Sequence, residues 1–245
     1  MKIVLCLILF FAILFGFMPS SFSATEGFEY SERYIYGNPL VCVVEFDDPN
    51  VDSKTIKMML DETRNAVQEW EAKLQGTERY PKDQYIWKID YTQISLDKKD
   101  SYDFSKCYII IQFQDIPDNP EWQLKFLGIT EPLTNENDVK SKISIFYRAI
   151  ITCRSTSSDA NYIYTYYDPC YSEKPIPEEK IGTVVRHEFG HAIGLGHYLS
   201  VDEEINTRWA TGQSLAPSIM VEFAHDNNKF QQITPLDVET VVSTY

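Results

Sequence analysis

The spacing of apolar residues along the chain alternates between helical and strand-like periods. From Ser53 to Gly76 the residues Ile56, Leu60, Thr63, Val67, Trp70 and Leu74 recur in steps of three and four. That period places them on one face, so the segment predicts a long amphipathic helix, and Gly76 fits its end. Shorter runs rich in β-branched residues predict strands over Pro39 to Phe46, Tyr85 to Ile94, Tyr108 to Phe113 and Lys142 to Ile151. Leu127-Gly128-Ile129-Thr130 has a weaker pattern that fits a short edge strand. Residues 153–177 predict a long loop, or a loop with the strand-like run Tyr162 to Tyr167. A second helix is expected from Pro177 to Gly194, with Pro177 near its first turn and Glu178 and Glu179 at its positive end. A polar loop then leads to Pro217. Thr234-Pro235-Leu236-Asp237 opens a last helix: Thr234 caps, Pro235 takes the first position and Asp237 sits where a cap partner would. The order of elements predicts an α/β (α+β) domain with a mixed twisted sheet, a long backing helix and two further helices.

The first 23 residues stand outside this pattern. Lys2 gives a positive start, Ile3 to Met18 is apolar, and Pro19-Ser20-Ser21-Phe22-Ser23 is a small-residue cleavage zone. Residues 1–23 therefore predict a signal peptide, 24–38 a lead-in segment and 39–245 a single domain. A retained leader would instead anchor the chain at the cell surface; the apolar run is slightly short for a span, which favours cleavage and a secreted protein. The formal net charge of −14 argues against nucleic acid and anionic membrane as partners. Four cysteines follow the leader: Cys42, Cys107, Cys153 and Cys170. An even number in an exported chain predicts two disulfides, with three connectivities open. Cys153–Cys170, closing a short polar loop, and Cys42–Cys107, tying two strands, are the favoured pairs; buried free thiols are the alternative.

The chemistry concentrates in His187-Glu188-Phe189-Gly190-His191-Ala192-Ile193-Gly194-Leu195-Gly196-His197. His187 and His191 are four apart on the second helix, so both imidazoles face one point. Gly194 can take a positive φ, end the helix and turn the chain. His197 can then return as a third nitrogen. Three nitrogens and one open position are the donor set of catalytic zinc, with Glu188 placed to act as general base. Three of the chain's four histidines are in this motif; the fourth, His225, fits an exposed position in the polar run Ala224 to Lys229. Calcium is possible from the many carboxylates, but no EF-hand pattern names its ligands.

This motif, followed by Ser218-Ile219-Met220, resembles the metzincin metallopeptidases, and within them the matrixins. Tyr108 to Phe113 is similar to their central strand, and Ile233 to Tyr245 to their closing helix. The resemblance implies one catalytic zinc on His187, His191 and His197, with Met220 as the methionine turn beneath it. It implies hydrolysis of peptide bonds by a zinc-activated water with Glu188 as base. An extended protein or peptide substrate would lie along the edge strand Leu127, Gly128, Ile129 and Thr130, and the protein would act as a monomer. Three features depart from the family. Tyr198 replaces a serine, Val221-Glu222-Phe223 lacks the usual proline and tyrosine, and there is no cysteine-containing inhibitory segment. The exported chain is therefore expected to be active without further cutting, unless residues 24–38 lie along the edge strand. The competing class is a zinc-containing binding or adhesion protein on the same fold.

Overall fold

The computed structural model of the chain describes residues 28–30, 38–77, 87–116, 127–135, 138–148, 150–158, 163–171, 175–198, 204, 208, 216–221 and 231–244. The leader, most of the lead-in, His225, Glu222 and Phe223 lie outside these residues, as does most of the loop after Tyr198.

The architecture is a mixed α/β domain built on a five-stranded sheet. Its strands are β2 (Leu40–Val44), β3 (Asp90–Ile94), β4 (Ile109–Gln114), β5 (Gly128–Asn135) and β6 (Asp138–Phe146), in the order β3-β2-β4-β6-β5. β2 runs parallel to β3 and β4, β4 runs parallel to β6, and β5 is antiparallel at the end. Helix α1 (Ser53–Gln75) connects the parallel strands β2 and β3. Gly76 closes α1, as the sequence predicts, and Asp52 caps its start by accepting from the backbone of Lys54 and Thr55. Helix α2 (Glu178–Ala192) packs on α1 and on β5 and β6, and α3 (Pro235–Thr244) ends the chain. Two smaller ladders complete the fold: β7 (Ile150–Ser158) with β8 (Ile163–Tyr171), and β1 (Phe28–Tyr30) with β9 (Leu195–Tyr198).

Burial alternates along β4, where Ile109, Ile111 and Phe113 face the core. They join Val41, Val43, Ile143 and Ile145 from the sheet, Met59, Val67 and Trp70 from α1, and Ile181, Val185 and Phe189 from α2 in one cluster. This cluster fixes α2 against the sheet, and α2 carries the histidine motif. A second cluster contains Cys42, Ile94 and Cys107, and Cys42 is bonded to Cys107, tying β2 to the segment just before β4. Cys42 is therefore a structural cysteine inside the fold rather than a mobile thiol. The bond closes a loop of 65 residues, for which chain entropy gives roughly 4 kcal/mol. Replacing both cysteines by alanine is expected to lower the unfolding free energy by about 2–4 kcal/mol in a urea titration. An unchanged midpoint would count against the bond.

Several boundaries differ from the sequence expectation. The strand expected over Lys142 to Ile151 is two strands, β6 and β7. The apolar pattern runs through the break, but there the Tyr147 hydroxyl donates to Asp48 and the Arg148 guanidinium pairs with Asp115. The strand expected from Tyr85 begins only at Asp90. Before it, the side chains of α1 take the backbone groups: Gln75 donates to the Trp87 carbonyl at 2.6 Å, and Glu71 accepts from the Ile89 N–H at 3.1 Å. The expected loop over 153–177 is largely the β7–β8 hairpin, because its Thr, Tyr and Ser residues are polar yet favourable in strands. Cys153 and Cys170 thus lie on paired strands. Cys153 stands opposite Asp168 and Cys170 opposite Ile151. Their side chains lie outside the described residues, so that bridge stays a proposal. The segment Phe28–Tyr30 pairs with β9, not with the edge strand.

Candidate metal centre

The site forms where α2 ends. Glu178 and Glu179 lie at the helix's positive end, and from Ile181 to Gly190 every residue is buried. A helix buried on all sides can carry polar groups only if each is held by a partner. Arg186, 4 % exposed, pairs with Glu69 at 2.7 Å and Glu62 at 3.9 Å on α1. The Trp70 indole donates to the Arg186 carbonyl at 3.0 Å. These contacts lock α2 onto α1 immediately before His187.

His187 and His191 stand one turn apart, with ring centroids separated by 4.7 Å. Gly194 has φ of 104°, which a side chain would strain, and the chain turns there into β9. β9 returns His197 to a ring-centroid distance of 4.7 Å from His191 and 5.3 Å from His187. The sequence expectation for all three positions and for the glycine turn thus meets in one place.

The hydrogen bonds define what the three rings offer. His187 Nδ1 lies 2.8 Å from the Ile219 carbonyl, and His191 Nδ1 lies 2.8 Å from the Leu195 carbonyl. A carbonyl can only accept, so both rings carry their proton on Nδ1 and turn a lone pair on Nε2 outward. Those lone pairs converge: His191 Nε2 is 3.1 Å from His187 Nε2 and 3.2 Å from His197 Nε2. Nitrogens this close need a shared proton or a cation between them. Tetrahedral zinc with its usual zinc–nitrogen bonds separates neighbouring nitrogens by roughly 3.3 Å. The donor set therefore fits a metal ion of this kind, and all three ligand atoms lie within 4.8 Å of one another. Among the described residues, no second group of three His, Cys, Asp or Glu side chains accompanies them. His187 is buried while His191 and His197 are partly exposed, so the centre opens on their side.

Met220 is fully buried, as is Ile219, whose carbonyl meets His187. A Cβ added to Gly190 would stand 2.3 Å from Met220 Sδ and 3.4 Å from Trp70. Gly190 is thus the point where α2 lets the methionine and Trp70 approach. Gly190→Ala is expected to displace Met220 and lower stability by about 1–3 kcal/mol, the usual range for overpacking. Thermal unfolding of the metal-free protein tests this, and an unshifted midpoint would contradict the close approach.

Asp237 has a larger part than its position in a cap motif suggests. It accepts from the Thr234 N–H at 2.7 Å and from the Thr234 hydroxyl at 2.8 Å, which is the expected cap. It also accepts from the Ser218 hydroxyl and from the Ile219 N–H at 3.1 Å. One buried carboxylate therefore ties α3 to the segment that orients His187. Burial pushes the Asp237 carboxyl above the ordinary carboxylate range, and the donors from Ser218, Thr234 and Ile219 pull it back. The Tyr198 N–H donates to the Met220 carbonyl at 2.8 Å, joining the same segment to the strand of His197. Such outer contacts hold metal ligands in place.

Glu188 follows His187 and is 5 % exposed. The Thr130 hydroxyl lies 2.7 Å from its Oε2. The residues Gly128 to Thr130 do belong to the edge strand of the sheet, which starts at Gly128 and continues to Asn135; Leu127 immediately precedes it. Sequence reasoning missed Arg186's pairing, Asp237's second role and the contact from Thr130 to Glu188. An arginine among Ile181, Val184, Val185 and Phe189 was the one available signal, since a charge on a buried face requires a partner. No protein-family model and no curated protein matches the chain, which leaves the geometry of the centre to carry its functional reading.

Proposed function

We propose that the chain is a secreted, metzincin-like zinc endopeptidase, with a matrixin-like arrangement of its site. The observation that carries this reading is the convergence of three imidazole Nε2 atoms, with a buried glutamate next to His187 in the motif. His187, His191 and His197 would hold the ion. When bound, zinc supplies Lewis acidity, which lowers the pKa of a water molecule toward neutrality and polarises a carbonyl.

The remaining work falls to the protein. The Ile219 and Leu195 carbonyls keep His187 and His191 as neutral Nδ1–H tautomers with Nε2 available. Glu188 takes a proton from the attacking water and passes it to the leaving amine. Met220 and Ile219 are fully buried, and the Ile219 carbonyl ties that segment to His187. β5 ends the sheet, and its edge suits an extended peptide that adds by backbone hydrogen bonds. Such a substrate is protein or peptide, not nucleic acid, and the enzyme acts as a monomer. The Cys42–Cys107 bond suits an oxidising compartment, and no helix among the described residues is long and apolar enough to cross a membrane.

The test is hydrolysis of unfolded casein by the purified protein. Cleavage that stops with a chelator and returns with zinc is the expected result. Bound zinc without cleavage would assign the fold to the non-catalytic binding class instead.

A further inference from the structure

We propose that Thr130 is a positioning residue that orients the Glu188 carboxylate, so that the strand offered to the substrate also aims the base. This rests on reading Glu188 as the base, and deepens it.

Gly128 and Thr130 are two apart on β5, so both face the same side of the sheet, toward α2. At Gly128 the strand comes so near that an added Cβ would lie 2.7 Å from Glu188 Cγ, 2.7 Å from Val184 Cγ1 and 3.0 Å from Glu188 Oε1. One residue type leaves room for the glutamate side chain there, and Thr130 then meets its other oxygen at 2.7 Å. The Thr130 hydroxyl is also 2.9 Å from the Glu188 backbone carbonyl, and it has one proton to give. The carboxylate is the nearer acceptor and, when charged, the stronger one, so the proton goes to Oε2. The end torsion of a glutamate is soft and roughly two-fold. A donor fixed on the sheet removes that freedom and sets the direction of the carboxylate. Base catalysis depends on such placement within a fraction of an ångström. Gly128 pairs with Ile145 and Thr130 with Ile143 of β6, so the sheet core sets the position of both.

The variants are Thr130→Val, which keeps the shape without the hydroxyl, and Thr130→Ser, which keeps the hydroxyl. In the zinc-loaded protein Thr130→Val is expected to lower kcat by roughly ten- to a hundred-fold, as befits a hydrogen bond to a charged group, with KM changed less than about three-fold. Thr130→Ser should recover most of kcat. A Thr130→Val protein within about two-fold of wild-type kcat overturns the proposal. So does a loss that Thr130→Ser fails to recover and that tracks thermal stability, because the hydroxyl then serves the backbone carbonyl alone. The visible spectrum of the cobalt-substituted protein gives a readout that needs no turnover. Thr130→Val should shift it in the direction that Glu188→Gln does, while Thr130→Ser leaves it near wild type. If the wild-type protein cleaves nothing, the base reading fails, and the spectra alone decide: a Thr130→Val spectrum identical to wild type still overturns the positioning.

Discussion

Glu188→Gln is expected to abolish most peptide hydrolysis while leaving the fold and the metal in place. The substitution exchanges one carboxylate oxygen for an amide nitrogen and barely changes the shape. Glu188 is almost fully buried against β5, so a change of volume there would disturb Gly128 and Val184, and glutamine avoids that. Glutamine cannot accept a proton at working pH. The loss of general-base catalysis alone is worth about 100- to 10,000-fold in kcat. Since the same group is also to protonate the leaving amine, the loss should lie at the upper end or beyond. Zinc content and the thermal midpoint should stay close to wild type, because the ligands are the three histidines. Turnover near the wild-type rate would show that Glu188 is not the base. A protein that also loses its metal would show that Glu188 holds the site together rather than working in it.

His191→Ala should have the largest effect on metal binding. His191 is the central ring of the three: its Nε2 lies 3.1 Å from that of His187 and 3.2 Å from that of His197. Removing it leaves two nitrogens, and also frees the Leu195 carbonyl that its Nδ1 holds. Loss of an outer-shell partner typically costs 10–100-fold in metal affinity, and loss of a ligand should exceed that. The expected result is a zinc dissociation constant raised by more than about 100-fold in a competition titration, with no detectable hydrolysis. An affinity close to wild type would mean that the metal sits elsewhere.

Much of this centre is visible in the sequence because its spacing is local. His187 and His191 follow the helical period, Gly194 marks the turn, and both signals survive without knowledge of the rest of the fold. The helix Ser53–Gln75 is legible for the same reason, since its apolar stripe and its closing Gly76 lie within one segment. Thr130 to Glu188 spans 58 residues, Asp237 to Ile219 spans 18, and Trp70 to Arg186 spans 116, so no local period reports them. Asp237 is instructive. Its cap role was readable from Thr234-Pro235-Leu236-Asp237, but one carboxylate has lone pairs to spare, and the second pair of donors comes from the methionine segment. The break between β6 and β7 was illegible because the apolar run Ile143 to Ile151 gives no period change. The chain leaves the sheet there for contacts that Asp48 and Asp115 provide from distant segments. In the β7–β8 hairpin the strand-like run Tyr162 to Tyr167 falls in β8, but β7 was hidden by its polarity, since hydroxyl-rich strands lack the alternation that marks a half-buried one.

The most direct measurement is the metal content of the purified protein after dialysis against metal-free buffer, by inductively coupled plasma mass spectrometry. The convergence of three Nε2 atoms predicts one zinc per chain, removed by a strong chelator and regained on adding zinc. A protein that holds no transition metal, or one that keeps a full equivalent after His191→Ala, would contradict the metal centre on which the account rests.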